Sequence, residues 1–502
     1  MRRFHTIIFS ALCASQVLAQ TKELKMALEA SPRTFDPRFA NDAFSQYVTD
    51  LTNCSLTSFD KDGNLIGQLA STWKWVDPKT LVVTLKEGIR YNDGSLLSAE
   101  DVVATYSYLQ KPGASPLIGA FRKLSSVKST GKNTVEFKLS EADSTFTDNL
   151  FIGIQPKQLM QEKMISDVKD LKSCGPFVLS KADINEIILV RNEKYSLGPL
   201  PKLERISIKT VKDERTRFSK LEKGELDLTQ NNINRDQLKF IRKSHPNLVI
   251  ESKEGLNVTY LGFNFKDKIL ANKDVRQAIS LGINRKEMVQ FLLQGMAEEA
   301  NGFLTSGNPY RAVDLPASEY NLKKANELLD KAGFPKKAPN NLRFELTLKT
   351  TADVNRTNYA HAIAGNLQKI GVKVHVQSLE WGKFKSDVDQ GLMQLWLLNW
   401  IGYKDPDIHR YALGSESVPP NGANRGWYKN SELDKILSEA YSSHEIEKRK
   451  PLYIKAQKII SDEMPYVFLW HEKNYVVFNK SVKGFEIYAD GRYSSLAKVD
   501  KN

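Results

Sequence analysis

Apolar residues recur along this chain in two rhythms that keep replacing each other. Leu81, Val83 and Leu85 alternate with Val82, Thr84 and Lys86, the period-two signature of a strand. Gly88 and Asn92-Asp93-Gly94 then punctuate the chain as turns. Ser98, with Asp101 three places on, predicts a capping box, and Val102, Thr105, Tyr106 and Leu109 share the helical face that follows. Val275, Ala278, Ile279 and Gly282 line a further helix. Asn284 is placed to cap the next one, which carries Met288, Val289, Leu292 and Leu293 to a stop at Gly295. Leu322, Ala325, Leu328, Leu329 and Ala332 mark another helix, ended by Gly333. Phe344 to Thr350 alternates as a strand. Ile363, Leu367 and Ile370 sit on a helix that stops at Gly371, and Val372, Val374 and Val376 alternate again. Strand, helix and strand within about 35 residues make a βαβ unit and a locally parallel sheet. The class is α/β with mixed sheets. Pro451 falls inside a helical pattern from Glu445 to Ile460. Because proline removes a donor and clashes one turn back, the helix either starts near Lys450 or is kinked.

At 502 residues the chain exceeds a single core, since cores stop growing at roughly 250–300 residues. Its N-terminus reads as a secretory leader: Arg2 and Arg3, a mostly apolar run from Phe4 to Leu12, and Val17-Leu18-Ala19 before a cut ahead of Gln20. Leu12 is a poor neighbour for a lipid anchor at Cys13, so none is expected there. The longest later apolar run, Leu392 to Tyr403, is too short to span a bilayer and contains Asn399. The reading is an exported, soluble chain, with residues 1–19 removed. That removal takes two arginines and no acids, leaving 70 basic against 59 acidic residues, a charge of +11. The lysines are scattered, with no basic arm and no nucleic-acid motif, so the excess reads as a solvated surface and no nucleic-acid partner is expected. Cys54 and Cys174 survive processing. An oxidising compartment permits a disulfide between them, and two buried free thiols are the alternative.

Catalytic motifs are missing: no His-Glu-x-x-His, Gly-x-Ser-x-Gly, P-loop or Cys-x-x-Cys occurs. The histidines are widely spaced, and no cofactor or metal is expected. Asp405 and Asp407 flank Pro406 and read as a turn rather than an acid/base couple. Large aromatics stand at strand ends instead: Trp381, Trp400 with Tyr403, and Trp427 with Tyr428. Such rings can line a cleft. Trp396 reads as core, while Trp381 and Trp400 fit either role.

Several ordered stretches resemble the bacterial solute-binding proteins of family 5, the peptide-type receptors of ABC importers. Leu69-Ala70-Ser71-Thr72-Trp73 is similar to the family's "LA-x-x-W". Leu85 to Gly94, followed by Ser98-Ala99-Glu100-Asp101-Val102, resembles "L-R-x-G-V-x-F-x-D-G … T-A-x-D-V". Ser173-Cys174-Gly175-Pro176-Phe177 resembles "G-T-G-P-Y", with Cys174 in the threonine place. Tyr260-Leu261-Gly262-Phe263-Asn264 resembles "Y-x-G-F-N", and Asp274 to Gly295 resembles "V-R-Q-A … I-D-R … G". The resemblance implies a two-lobe clamshell of type II with mixed sheets. Lobe I would hold residues 20–63, 173–264 and 481–502, with an extra subdomain over 64–172. Lobe II would hold 265–480, and the hinge would lie near Asn264 and Phe478. A small solute, short peptides first, would close the lobes and be handed to an ABC permease in the inner membrane by a monomeric periplasmic protein that is not an enzyme. A clamshell sensor, or a binder of a nickel chelate, haem, opine or oligosaccharide, is the alternative, and a secreted hydrolase a remote one. The ligand residues implied are Trp381, Trp400, Tyr403, Asp405, Asn264 and Cys174. Tyr403 or Lys404 stands where relatives carry a carboxylate for a peptide's amino group; Asp405 could substitute, and Lys404 would favour an anionic ligand.

Overall fold

The computed structural model describes residues 22–160, 164–316 and 319–502. The leader and Cys13 lie outside these residues. An 11-stranded mixed sheet runs through the protein, and the two longest strands, Leu248–Phe263 and Tyr466–Asn479, lie antiparallel at its middle. On one side follow Leu395–Trp400, Phe344–Thr351 and Val372–Leu379. On the other follow Leu228–Gln230, Glu23–Leu28, Arg205–Thr210, Glu186–Arg191 and Phe177–Ala182. The predicted βαβ unit is present: Phe344–Thr351 and Val372–Leu379 pair in parallel, and helix Val354–Gln368 connects them. Gly371 ends that connection at φ +81°, where an added Cβ would meet the Asn341 carbonyl oxygen at 2.5 Å.

The two central strands pair in two stretches. Leu248 to Glu254 face Asn479 to Lys473; the register breaks, and Val258 to Gly262 then face His471 to Tyr466. Gly255 occupies the break, and a Cβ there would lie 2.7 Å from the Glu472 carbonyl oxygen. A bulge bends and twists a strand pair where it sits, so this step separates the two ends of the sheet. Each end has its own core. Leu24, Ile206 and Leu228 pack with Phe478 and Leu496 at one end, and Phe263, Val275, Ile363 and Leu469 at the other. Gly262 is required by its neighbour, because an added Cβ would lie 2.2 Å from the Trp396 ring. Trp396 is fully buried, as its apolar setting predicts.

A second sheet, antiparallel, is formed by Ala70–Asp77, Thr80–Leu85, Thr134–Leu139 and Leu124–Gly131. Helix Ala99–Leu109 covers it, burying Val102, Tyr106 and Leu109 against Leu81, Val83 and Phe137. The capping box forms: the Ser98 backbone N–H donates to the Asp101 carboxylate at 2.8 Å. Cys54 and Cys174 are joined by a disulfide, their Cα atoms 5.4 Å apart, which closes the chain around this small sheet. Helix Ile446–Glu463 passes through Pro451 and begins more than a turn before it, so a start near Lys450 does not hold. Proline removes one backbone bond there, and the buried face of Arg449, Tyr453, Ala456 and Ile460 holds the helix across the gap.

Candidate functional site

Where the sheet steps, the two ends and the small sheet surround a cavity of about 940 Å³. That is the upper range for a small-molecule site. Its floor takes Asn257 and Asn474 from the central strands. One wall takes Tyr47 from helix Ala43–Thr52, Phe59, and the Asp490-Gly491-Arg492 turn near the C-terminus. Gly491 makes that turn at φ +76°. The opposite wall is the segment Ile401 to Asp405, which leaves strand Leu395–Trp400, together with Asp407, Ile408 and Tyr411. The small sheet's side contributes Thr145, Asp148, Asn149 and Phe151. Amides, phenols and rings thus alternate around the space.

Charges meet across it. The Lys404 ammonium reaches Asp490 of the facing wall at 2.7 Å and lies 3.2 Å from the Phe59 ring centre. Arg492 braces the same carboxylate at 2.9 Å and reaches Asp50 at 3.0 Å. Burial, then repulsion from Arg492, pulls the Lys404 pKa down to about 8. Burial pushes Asp490 upward, but Lys404 and Arg492 outweigh it and hold the carboxyl below its ordinary value. Lys404 is therefore engaged, and an anionic ligand would have to displace Asp490 to use it. Away from the cavity, His444 stacks on Trp75 with centroids 3.6 Å apart and donates from Nε2 to the Pro78 carbonyl at 3.0 Å, while Lys123 donates to the Tyr441 hydroxyl at 2.5 Å. These contacts join the small sheet to the helical face opposite.

The residues singled out from sequence separate into three groups. Tyr403 and Asp405 stand in the cavity wall. Burial, then the neighbouring Tyr411, pushes the Tyr403 hydroxyl up to about 12. Asp405 forms the turn its sequence predicts, accepting the Asp407 N–H at 2.7 Å, and pairs with Arg449 at 3.1 Å. Burial, partly offset by Arg449, raises its pKa. Trp400 lies one layer behind the wall and is 6 % exposed. Its ring is parallel to Tyr260 and meets the edges of Tyr403 and Tyr411, at centroid distances of 5.9, 5.3 and 6.1 Å. The other three are held elsewhere. Trp381 opens helix Trp381–Gln390, 52 % exposed and packed on Phe384. Asn264 ends its strand by donating to the Gly391 and Met393 carbonyls at 3.1 and 2.7 Å. Cys174 is spent in the disulfide.

Sequence reasoning missed Asp148, Asp490 and Arg492. Asp490-Gly491-Arg492 reads as an ordinary surface turn, and Asp148 sits in the short turn Phe146–Asn149 with no periodic signal around it. No group of three or more His, Cys, Asp and Glu among the described residues is placed to hold a metal ion. No helix among them is long and apolar enough to cross a membrane.

Residues 64–418 match the family described as bacterial extracellular solute-binding proteins, family 5 Middle. The chain is 28% identical to the oligopeptide-binding protein AppA of Bacillus subtilis, covering 93% of this chain and 90% of that one. It is 30% identical to the probable D,D-dipeptide-binding periplasmic protein DdpA of Escherichia coli, covering 91% and 90%. Its fold superposes on HbpA2 from Haemophilus parasuis with a TM-score of 0.85 at 24% identity, over 96% of this chain and all of that one.

Proposed function

We propose, from the fact that this chain belongs to family 5 of the bacterial extracellular solute-binding proteins, that it is the periplasmic receptor of an ABC importer and captures short peptides. The supporting observation is the cavity of about 940 Å³ between the two ends of the main sheet, in a chain two of whose relatives over nine-tenths of its length are named for oligopeptides and a dipeptide. A buried peptide brings polar main-chain groups, each costly if unpaired. The Asn149 Oδ1 and Asn257 Nδ2 atoms offer an acceptor and a donor to such groups, and bound water extends their reach, while the Asn474 amide is spent on Asn231 and the Tyr488 and Ala489 carbonyls. Tyr403, Tyr411, Phe59 and Phe151 supply the apolar contact. Trp400 acts through Tyr403 and Tyr411 rather than by touching the ligand. We place the hinge at the break around Gly255, where the central strands lose register. A hinge closes only for a ligand that binds the closed form better. The closed receptor then docks on a permease and carries out no chemistry of its own.

The test is calorimetric titration with an equimolar pool of di- to pentapeptides, paired with thermal unfolding. Heat and a raised melting temperature, with peptides recovered intact, support the reading. No heat and no shift would remove peptides as the ligand class, and cleaved peptides would remove the receptor reading.

A further inference from the structure

The ionisable groups around the cavity do not pair off evenly. Lys404 is matched by Asp490 at 2.7 Å, Arg492 by Asp50 at 3.0 Å, Arg449 by Asp405 at 3.1 Å, and Arg410 by Asp407 at 2.7 Å. Each of these four cations has a carboxylate of its own. Asp148 has none. Its side chain lines the cavity, and among the described residues it accepts no hydrogen bond and lies in no ion pair. The turn that carries it is anchored: Phe146 is fully buried in the core of the small sheet, and the Asp148 N–H donates to the Thr145 carbonyl at 3.0 Å. The backbone that carries the carboxyl is therefore fixed at the cavity wall.

We infer that Asp148 is the counter-ion for a cationic group of the ligand, an ammonium, and that this end of the cavity selects cargo carrying positive charge. This rests on the reading of the cavity as a peptide site. A partly buried charge without a partner is costly, and a positioned ammonium gains a charge-assisted hydrogen bond there. The competing location for ligand charge, Lys404, is already neutralised within the protein.

The groups that face Asp148 make the prediction sharper. Asp405 and Asp143 oppose its ionisation, while Arg449 and Lys404 favour it from within their own pairs. Burial, then Asp405, lifts the Asp148 pKa to about 8, so without a facing cation the side chain holds a proton near neutrality. An arriving ammonium displaces that proton to solvent: the carboxylic acid loses H⁺, and the carboxylate pairs with the unchanged cation. Ligand uptake is then coupled to proton release.

Three pools of di- to pentapeptides without Lys or Arg test this: one with free amino termini, one N-acetylated, and one N-acetylated with a single Lys added. Each is titrated into wild type and Asp148→Asn at pH 6.5, in two buffers of different ionisation heat. The asparagine is isosteric and removes no contact, so the variant should fold as wild type does and, at pH 6.5, melt above it, because unfolding releases the Asp148 proton only in wild type. The expected result is that wild type binds the free pool, with acetylation or Asp148→Asn each weakening binding about tenfold or more. Proton release should accompany binding to wild type and vanish in the variant. Recovery by the lysine pool would assign the ammonium to a side chain, and failure to recover would assign it to the amino terminus. Equal binding of all pools, or an unchanged Asp148→Asn, overturns the inference while leaving the peptide reading intact. Silence from every pool overturns both.

Discussion

Opening the Cys54–Cys174 bridge should loosen one part of the molecule selectively. The bond spans 120 residues, and the enclosed loop contains the small antiparallel sheet with its covering helix. Cross-linking lowers the entropy of the unfolded loop. For a loop of this length the chain-entropy relation gives about 4.9 kcal/mol at 25 °C, with about 2–4 kcal/mol the usual yield. Both sulfurs are buried in that sheet's core beside Leu56 and Ile154, so replacing them by alanine leaves small voids that add to the loss rather than offset it. The measurement is amide exchange in strand Thr80–Leu85, whose Leu81 and Val83 are buried and whose backbone pairs on both edges. In a Cys54→Ala, Cys174→Ala double variant a loss of about 3 kcal/mol accelerates exchange through global opening of this unit by about 150-fold. Strand Val372–Leu379, at the far edge of the main sheet, should be unaffected. Unchanged exchange in Thr80–Leu85 would refute the reasoning, and equal acceleration in both strands would refute the claim that the small sheet opens as its own unit.

Three other outcomes follow from the same structure. Trp400→Ala should destabilise the protein by about 3–5 kcal/mol in urea denaturation, because the ring is core rather than surface, whereas Trp381→Ala should cost under about 0.5 kcal/mol. Arg449→Met should cost about 3 kcal/mol by stranding Asp405, and the Arg449→Met, Asp405→Asn double variant should recover most of that; a double variant worse than the single would show the pair is not the unit. Stability of the ligand-free protein should carry an acid-side contribution from Asp148. Its folded pKa is raised from 3.8 to about 8, so the folded state binds the extra proton; the contribution is complete below about pH 4 and is lost as pH climbs toward 8. His409, lowered by burial to about 4, acts with the opposite slope between 4 and 6.5, so the signal to measure is melting temperature of wild type minus Asp148→Asn across pH 4.5–8. A flat difference would refute it.

Local pattern alone carried the elements a long way. The helix from Ala99 to Leu109 with its cap, the parallel pair at Phe344 and Val372, the turn at Asp405-Pro406-Asp407 and the burial of Trp396 were all readable, because each depends on residues near in sequence or on periodic apolar faces. Ordered motifs such as Leu85 to Gly94 with Ser98 to Val102 likewise carry the family in the sequence itself. Tertiary structure decided the rest. Whether Trp400 faces ligand or core depends on Tyr260, which strand pairing places against it from 140 positions upstream. Whether Lys404 is free depends on Asp490, brought to it by the return of the C-terminus across the cleft. Whether Asp148 is an ordinary surface acid or the unmatched charge of a cavity depends on how every other cation nearby is paired. Periodicity records which face of an element is buried; it holds no record of which distant element arrives to bury it, and charge pairing is a property of that arrival.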